Sequence, residues 1–193
     1  MSVRILAFSG SLRAASLNHR LATAAASAAR DAGAEVTVVR LRDFEIPLYD
    51  GDAEDSGGMP AGARRFKQLL IDSDGFLIAS PEYNGGYSGA LKNAIDWASR
   101  TETADEPPLL AFRGKSAGLL AASPGRLGGV RGLAQINTIL SGIGVLVLPE
   151  KHAVAGAHEA FAEDGSLARD FDRVAVASQA RRLVETCTAL GTP

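Results

Sequence analysis

One cysteine, Cys187, and three scattered histidines, His19, His152 and His158, are all the thiol and imidazole this chain has. A lone thiol excludes an internal disulfide framework and suits a reducing compartment, so a cytoplasmic protein is expected. With no cysteine or histidine cluster at ligand spacing, no metal site is expected. A basic excess is also missing. The 20 Lys and Arg against 22 Asp and Glu leave a net charge of -2. That balance gives no electrostatic reason to expect nucleic acid or an anionic membrane as partner. No apolar run approaches the roughly 20 residues that cross a bilayer. The first residues lead straight into an apolar stretch, so no secretion signal is expected. Repeats and low-complexity tracts are absent, and Ala24-Ala25-Ala26 is simply good helix material.

What remains is a chain of 193 residues, 46% hydrophobic and 22% charged, which suits one domain over residues 1–193 with one sizeable core. Strand-like and helix-like segments alternate. Val3 to Phe8 is a short apolar run, and Leu17 to Ala32 is rich in Ala and Leu and stops at Gly33. Further strands are expected at Glu35–Leu41, Gly75–Ser80, Lys115–Ala122 and Gly144–Leu148. Helices are expected at Met59–Ile71, Ala90–Ser99, Val130–Leu140 and Leu167–Leu190. Asp43 to Gly58 reads as an irregular connection and Thr101 to Pro108 as a mobile acidic loop. His152 and His158 are expected after the fifth strand, at the surface. The pattern predicts an α/β fold: a flavodoxin-like, five-stranded, doubly wound parallel sheet with helices on both faces.

In such a sheet ligands bind beyond the carboxyl ends of the strands. Three loops rich in Gly, Ser, Asn and Pro emerge there. The first, Gly10-Ser11-Leu12-Arg13-Ala14-Ala15-Ser16-Leu17-Asn18, joins a strand to a helix. A helix N-terminus carries unpaired N–H groups and partial positive charge, Arg13 adds a fork of donors, and Gly10 permits a sharp turn. This is the composition of a phosphate cradle; the alternative is a turn capped by Ser16 or Asn18 with Arg13 in solvent. The second loop, Pro81-Glu82-Tyr83-Asn84-Gly85-Gly86-Tyr87-Ser88-Gly89, pairs glycines with an amide and two tyrosines. Gly85 and Gly86 allow close backbone approach to a flat ligand, Tyr83 or Tyr87 offers a stacking face, and Glu82 anchors the loop. The third is Ser123-Pro124-Gly125-Arg126-Leu127-Gly128-Gly129.

Two apparent motifs fail on inspection. Gly114-Lys115-Ser116 ends like a phosphate-binding Walker loop, yet Leu109 stands where the earlier glycine belongs, and the triplet precedes a strand. Gly86-Tyr87-Ser88-Gly89 misses the spacing of a nucleophile elbow and has no histidine tied to it. Cys187 is expected as a small core residue in the last helix.

Gly10-Ser11-Leu12-Arg13 with Ser16 and Asn18, Pro81-Glu82-Tyr83-Asn84-Gly85, and Leu91-Lys92-Asn93-Ala94-Ile95-Asp96-Trp97 together resemble the NADPH-dependent FMN reductase family. That family includes quinone, chromate and azo-dye reductases of flavodoxin-like fold. The resemblance implies FMN as cofactor and NADPH or NADH as reductant. Ser11, Arg13, Ser16, Leu17 and Asn18 would hold the FMN phosphate. Pro81, Glu82, Tyr83, Asn84 and Gly85 would flank the ring, with Ser123 near its other side. It implies hydride passed through the flavin to a small-molecule acceptor such as a quinone, free flavin, azo compound or chromate, with no catalytic side chain required, in a homodimer or homotetramer. Two departures from the family pattern, Ser88 in place of a frequent Pro and the Ser123-Pro124-Gly125-Arg126 loop, fall on the expected acceptor side. The competing readings are a flavodoxin-like electron carrier without NAD(P)H activity, against which the near-neutral charge argues, and a module that holds a nucleotide without turning it over.

Overall fold

A computed structural model describes residues 2–191. The strands are β1 (Arg4–Ser9), β2 (Glu35–Arg40), β3 (Gly75–Ala79), β4 (Ser116–Ala122) and β5 (Leu146–Val154). The helices are α1 (Leu17–Asp31), α2 (Gly51–Gly57), α3 (Ala61–Ile71), α4 (Gly89–Ala98), α5 (Val130–Gly142) and α6 (Asp170–Leu190). The strands form one parallel sheet in the order β2-β1-β3-β4-β5. The chain leaves β1 for β2 on one side and then returns to β3 on the other. The crevice between β1 and β3 is therefore the point where the winding reverses.

Side chains alternate across each strand, so one strand feeds two cores. Ile5 and Ala7 of β1 pack with Leu21, Ala25 and Ala29 of α1 and with Leu183 of α6. Leu6 and Phe8 pack on the other face with Phe66 of α3, Leu91 of α4 and Ile136 of α5. Every residue of β3 and β4 is buried, as expected of a central parallel strand covered on both faces. The doubly wound five-stranded sheet expected from the sequence is thus observed.

Three segments depart from expectation. The fifth strand runs to Val154, past Pro149, because the β4–β5 register shifts between Ala117 and Leu119. Proline sits in the irregularity, where its missing N–H is tolerated. Gln179 of α6 donates there to the carbonyls of Leu119 (3.0 Å) and Glu150 (2.5 Å). His152 therefore lies within β5. Second, Gly51 to Gly57 is a short helix, not irregular chain, capped by Asp50 Oδ1 accepting from the Asp52 N–H at 2.9 Å. It buries none of its residues, so it left no apolar periodicity to read. Third, the acidic loop is tethered. Lys67 of α3, 1% exposed, pairs with Glu106 and Glu102 and donates to the Arg100 carbonyl at 2.8 Å. Burial would raise the Glu106 carboxyl, but the Lys67 ammonium and the Glu102 N–H hold it below the usual carboxylate range.

Candidate functional site

The first loop is fixed from both flanks before any ligand is considered. Gly10 N–H donates to the Ala79 carbonyl of β3 at 3.0 Å. The Gly10 carbonyl accepts from Ser88 Oγ at 2.6 Å, and Ser88 in turn caps α4 by accepting from the Leu91 N–H. A Cβ on Gly10 would stand 2.9 Å from the Leu91 Cβ. Glycine is required here for close approach to α4, not for a left-handed turn. Arg40 adds a brace, donating to the Ala14 carbonyl at 3.1 Å.

Within this frame the hydroxyls are aimed by the backbone. Ser11 Oγ accepts from the Arg13 N–H (3.3 Å) and Ser16 Oγ accepts from the His19 N–H (3.1 Å) as the N-cap of α1. Each oxygen is used as an acceptor, which leaves its own proton to donate outward. The first turn of α1 contains no acidic residue. Its Leu17 and Asn18 N–H groups have no acceptor within the helix. Arg13 has no carboxylate partner among the described residues and is exposed. The combination presents hydroxyl, amide and guanidinium donors with no resident anion.

The second loop is a tight hairpin. Tyr83 and Gly86 exchange backbone hydrogen bonds of 2.9 and 3.0 Å, and Asn84 (φ 52°) and Gly85 (φ 82°) form a two-residue turn with both φ positive. That is the type I′ geometry for which Asn-Gly is favoured. The glycines therefore serve the turn as much as ligand approach, and the N–H groups of Tyr83 and Gly86 are engaged with each other. Only Asn84 and Gly85 keep outward N–H groups. Tyr83 is half-exposed while Tyr87 packs against the core, so Tyr83 is the one ring available for stacking.

Glu82 does not face a ligand with a free carboxylate. Its Oε2 accepts from the N–H groups of Arg131 (3.0 Å) and Gly132 (3.1 Å), and Oε1 accepts from Arg131 Nε at 2.8 Å. It thereby caps α5, whose own N-cap Gly129 has no side chain to do so. Burial pushes the carboxyl up, but these contacts with Arg131 and Gly132 prevail and hold it below its ordinary value. Gln135 of the same helix donates to the Gly85 carbonyl at 2.9 Å.

Asn18 joins the two ends. Its carboxamide donates to the Ala122 carbonyl (2.8 Å) and accepts from the Ala122 N–H (2.9 Å), locking the first turn of α1 to the end of β4. Beyond Ala122, Ser123 donates its N–H to the Val154 carbonyl and accepts from Gly125 N–H on Oγ.

These loops close around one cleft of about 240 Å³. The first contributes Ser11, Arg13, Ser16, Leu17 and Asn18; the second Pro81, Glu82 and Tyr83; the third Ser123. Asn84 and Gly85 lie at the hairpin tip and not in the wall. Ala15, Ala122 and Pro124 also line it, residues whose types carry no ligand signal in the sequence. Ser88 is buried, so this departure from the family pattern fixes the first loop and does not reach an acceptor. A larger hollow of about 480 Å³ lies across Leu12, with mainly apolar walls that include Leu41, Ile46 and Leu48. It has no serine in its lining, and its one carboxamide, Asn93, is already taken up by the Tyr49 N–H and the Pro47 carbonyl.

The remaining motif residues take structural places. Lys115 donates to the carbonyls of Ile71 and Ser73 at the amino ends of the strands, away from the cleft. Cys187 is buried, which, with Asp74 nearby, pushes its thiol up to about 11 and makes it inert. No group of metal-ligating side chains exists among the described residues.

The chain is similar to known proteins along most of its length. The family model for NADPH-dependent FMN reductase matches residues 3–159. The chain is 36% identical to an NAD(P)H-dependent FMN reductase of Pseudomonas aeruginosa over 94% of this chain and 93% of the relative. It is 32% identical to a quinone reductase of Escherichia coli K12 over 80% of this chain and 78% of that protein. Among solved structures, a flavoenzyme NAD(P)H:(acceptor) oxidoreductase of Paracoccus denitrificans superposes with a TM-score of 0.79 at 29% identity, covering 98% of this chain and 99% of the other. The donor-lined cleft at the switch point and these matches lead to one statement: the chain belongs to the NADPH-dependent FMN reductase family.

Proposed function

We propose that the cleft binds FMN with its phosphate against the first turn of α1 and its ring between the hairpin at Tyr83 and the loop at Ser123. The chain is an FMN-dependent NAD(P)H oxidoreductase; the proposal concerns which residues do what. The observation that carries it is the set of open donors around Ser11, Arg13, Ser16, Leu17 and Asn18, with no acidic residue in the turn to neutralise them. A dianionic phosphate satisfies such a set, and Arg13 can meet two of its oxygens at once.

FMN held by Ser11, Arg13, Ser16, Leu17 and Asn18 would supply the redox chemistry, hydride transfer from NAD(P)H to a second acceptor. The protein grips, orients and shields. Pro81 and Tyr83 form one wall and Ser123 and Pro124 the other. Glu82 is committed to Arg131 and α5 and takes no proton in this scheme. The acceptor is a small molecule of the quinone type. Exposed Leu12, Leu48 and Leu127 near the rim support assembly into a homodimer or homotetramer. The single buried thiol fits a cytoplasmic setting, and no helix among the described residues is long and apolar enough to cross a membrane.

The test is an absorbance spectrum of purified protein reconstituted with FMN, before and after anaerobic addition of NADPH or NADH. Bleaching of the flavin bands by the nicotinamide alone supports the reading. A protein that takes up FMN but bleaches with neither reductant is an electron carrier instead.

A further inference from the structure

The third loop has no sheet partner of its own; it rests on the chain just beyond β5. Ser123 N–H donates to the Val154 carbonyl at 3.1 Å, and the Ser123 carbonyl accepts from the Ala157 N–H at 3.0 Å. Gly156 N–H reaches the Gly125 carbonyl at 3.4 Å. A Cβ on Gly128 would stand 2.7 Å from the Ala153 carbonyl oxygen, so the two stretches lie in backbone contact. Whatever holds residues 153–157 in place therefore holds the wall of the cleft at Ser123 and Pro124.

That support comes from a polar cluster outside the lining of the cleft. Arg169, the N-cap of α6, donates through Nη2 to the Ala155 carbonyl at 2.7 Å and through Nε to Asp172 Oδ2 at 2.5 Å. The other Asp172 oxygen, Oδ1, lies 2.7 Å from His152 Nε2 on β5. Asp172 is 3% exposed and sits in the first turn of α6, where the helix dipole favours its charge. A buried carboxylate held by two partners is weak evidence for stability but is well suited to fixing one geometry. Here the geometry fixed is that of a guanidinium fork whose remaining arm clamps one backbone carbonyl.

We propose that Arg169, oriented by Asp172 and His152, is a positioning residue for the flavin ring. It acts through Ala155 and the Ser123–Gly128 loop and touches neither cofactor nor substrate. The inference rests on the FMN reading of the cleft. It separates the cluster from α1, which would govern the phosphate. Loss of the Arg169 clamp should loosen the ring wall and leave the phosphate donors intact.

The test uses full-length protein with Arg169→Ala and, as a milder change, Arg169→Lys. Lysine keeps the charge but cannot bridge Asp172 and Ala155 as a fork. Arg169 is about half-exposed, so both variants are expected to fold, with thermal melting as the check. Dissociation constants for FMN and riboflavin and the two-electron midpoint potential of the bound flavin are then measured. The expected result is that FMN and riboflavin both bind about tenfold more weakly, the worth of one charge-assisted hydrogen bond, with a shifted potential. Arg169→Lys should move in the same direction. Unchanged affinities and potential in a folded variant overturn the inference. So does a loss confined to FMN, which would place the effect at the phosphate. A wild-type protein that binds no flavin overturns the reading of the cleft itself, and this inference with it; wild-type binding with an indistinguishable variant overturns this inference alone.

Discussion

At the α1 end of the cleft, polar groups are left open: two serine protons, two helix N–H groups and an unpaired guanidinium. At the ring end, nearly every polar group is already tied to protein. Tyr83 pairs with Gly86, Glu82 with Arg131 and Gly132, Gln135 with Gly85, and Ser123 with Val154 and Ala157. The contrast teaches a division of labour. Open donors give affinity, because they gain a partner only when an anion arrives. A satisfied frame gives shape, because its positions do not depend on the ligand.

Changes at the joint between the two ends should break this contrast most severely. Asn18→Ala leaves the buried N–H and carbonyl of Ala122 without partners and should destabilise the fold by about 2–4 kcal/mol, read as a lower urea midpoint, with FMN and riboflavin binding both impaired. Arg13→Ala should act on one end alone. It is expected to weaken FMN by about 1–3 kcal/mol while riboflavin affinity and the melting temperature stay put. Gly85→Val acts on the other end. The residue sits at φ 82°, with nothing nearer a Cβ there than the Arg131 guanidinium carbon at 3.7 Å, so the penalty is conformational, about 1–2 kcal/mol. It should reduce riboflavin and FMN binding equally, and Gly85→Asn should be milder because Asn tolerates positive φ.

The smallest effect concerns pH. Glu82 titrates below its ordinary 4.5 in the folded protein, so its contribution is complete above that value and lost as pH falls through the lower folded value. Flavin retention should therefore be flat from neutral pH down to about 5 and decline only in stronger acid. In Glu82→Gln the acid limb attributable to this anchor should disappear, checked by flavin fluorescence against pH.

Much of the frame was legible because it follows from pattern. The apolar run of β1, the Ser16 cap and the alanine face of α1 mark their own boundaries, and the buried β3 and β4 read as continuous apolar strands. What was not legible depended on partners distant in sequence. A helix lysine ordinarily faces solvent, yet Lys67 of α3 is buried because Glu102 and Glu106 come back to meet it. The second half of β5 carries Pro149, Glu150, Lys151 and His152, an edge-strand composition that hides its pairing with β4. His152, expected beyond the strand, lies within it and meets the buried Asp172, twenty residues on. At the site, several of the expected residues hold places that local pattern does not give. Gly10 avoids Leu91, Gly85 serves a type I′ turn, and Asn18 binds Ala122, roles that only the fold reveals.

The central claim is that open donors on α1 recognise the phosphate of FMN. Parallel titrations of the flavin-free protein with FMN and with riboflavin test it most directly. FMN binding at least about tenfold tighter than riboflavin, with the gap mostly closed in Arg13→Ala, is the predicted result. Equal affinities for the two in the wild-type protein would contradict it.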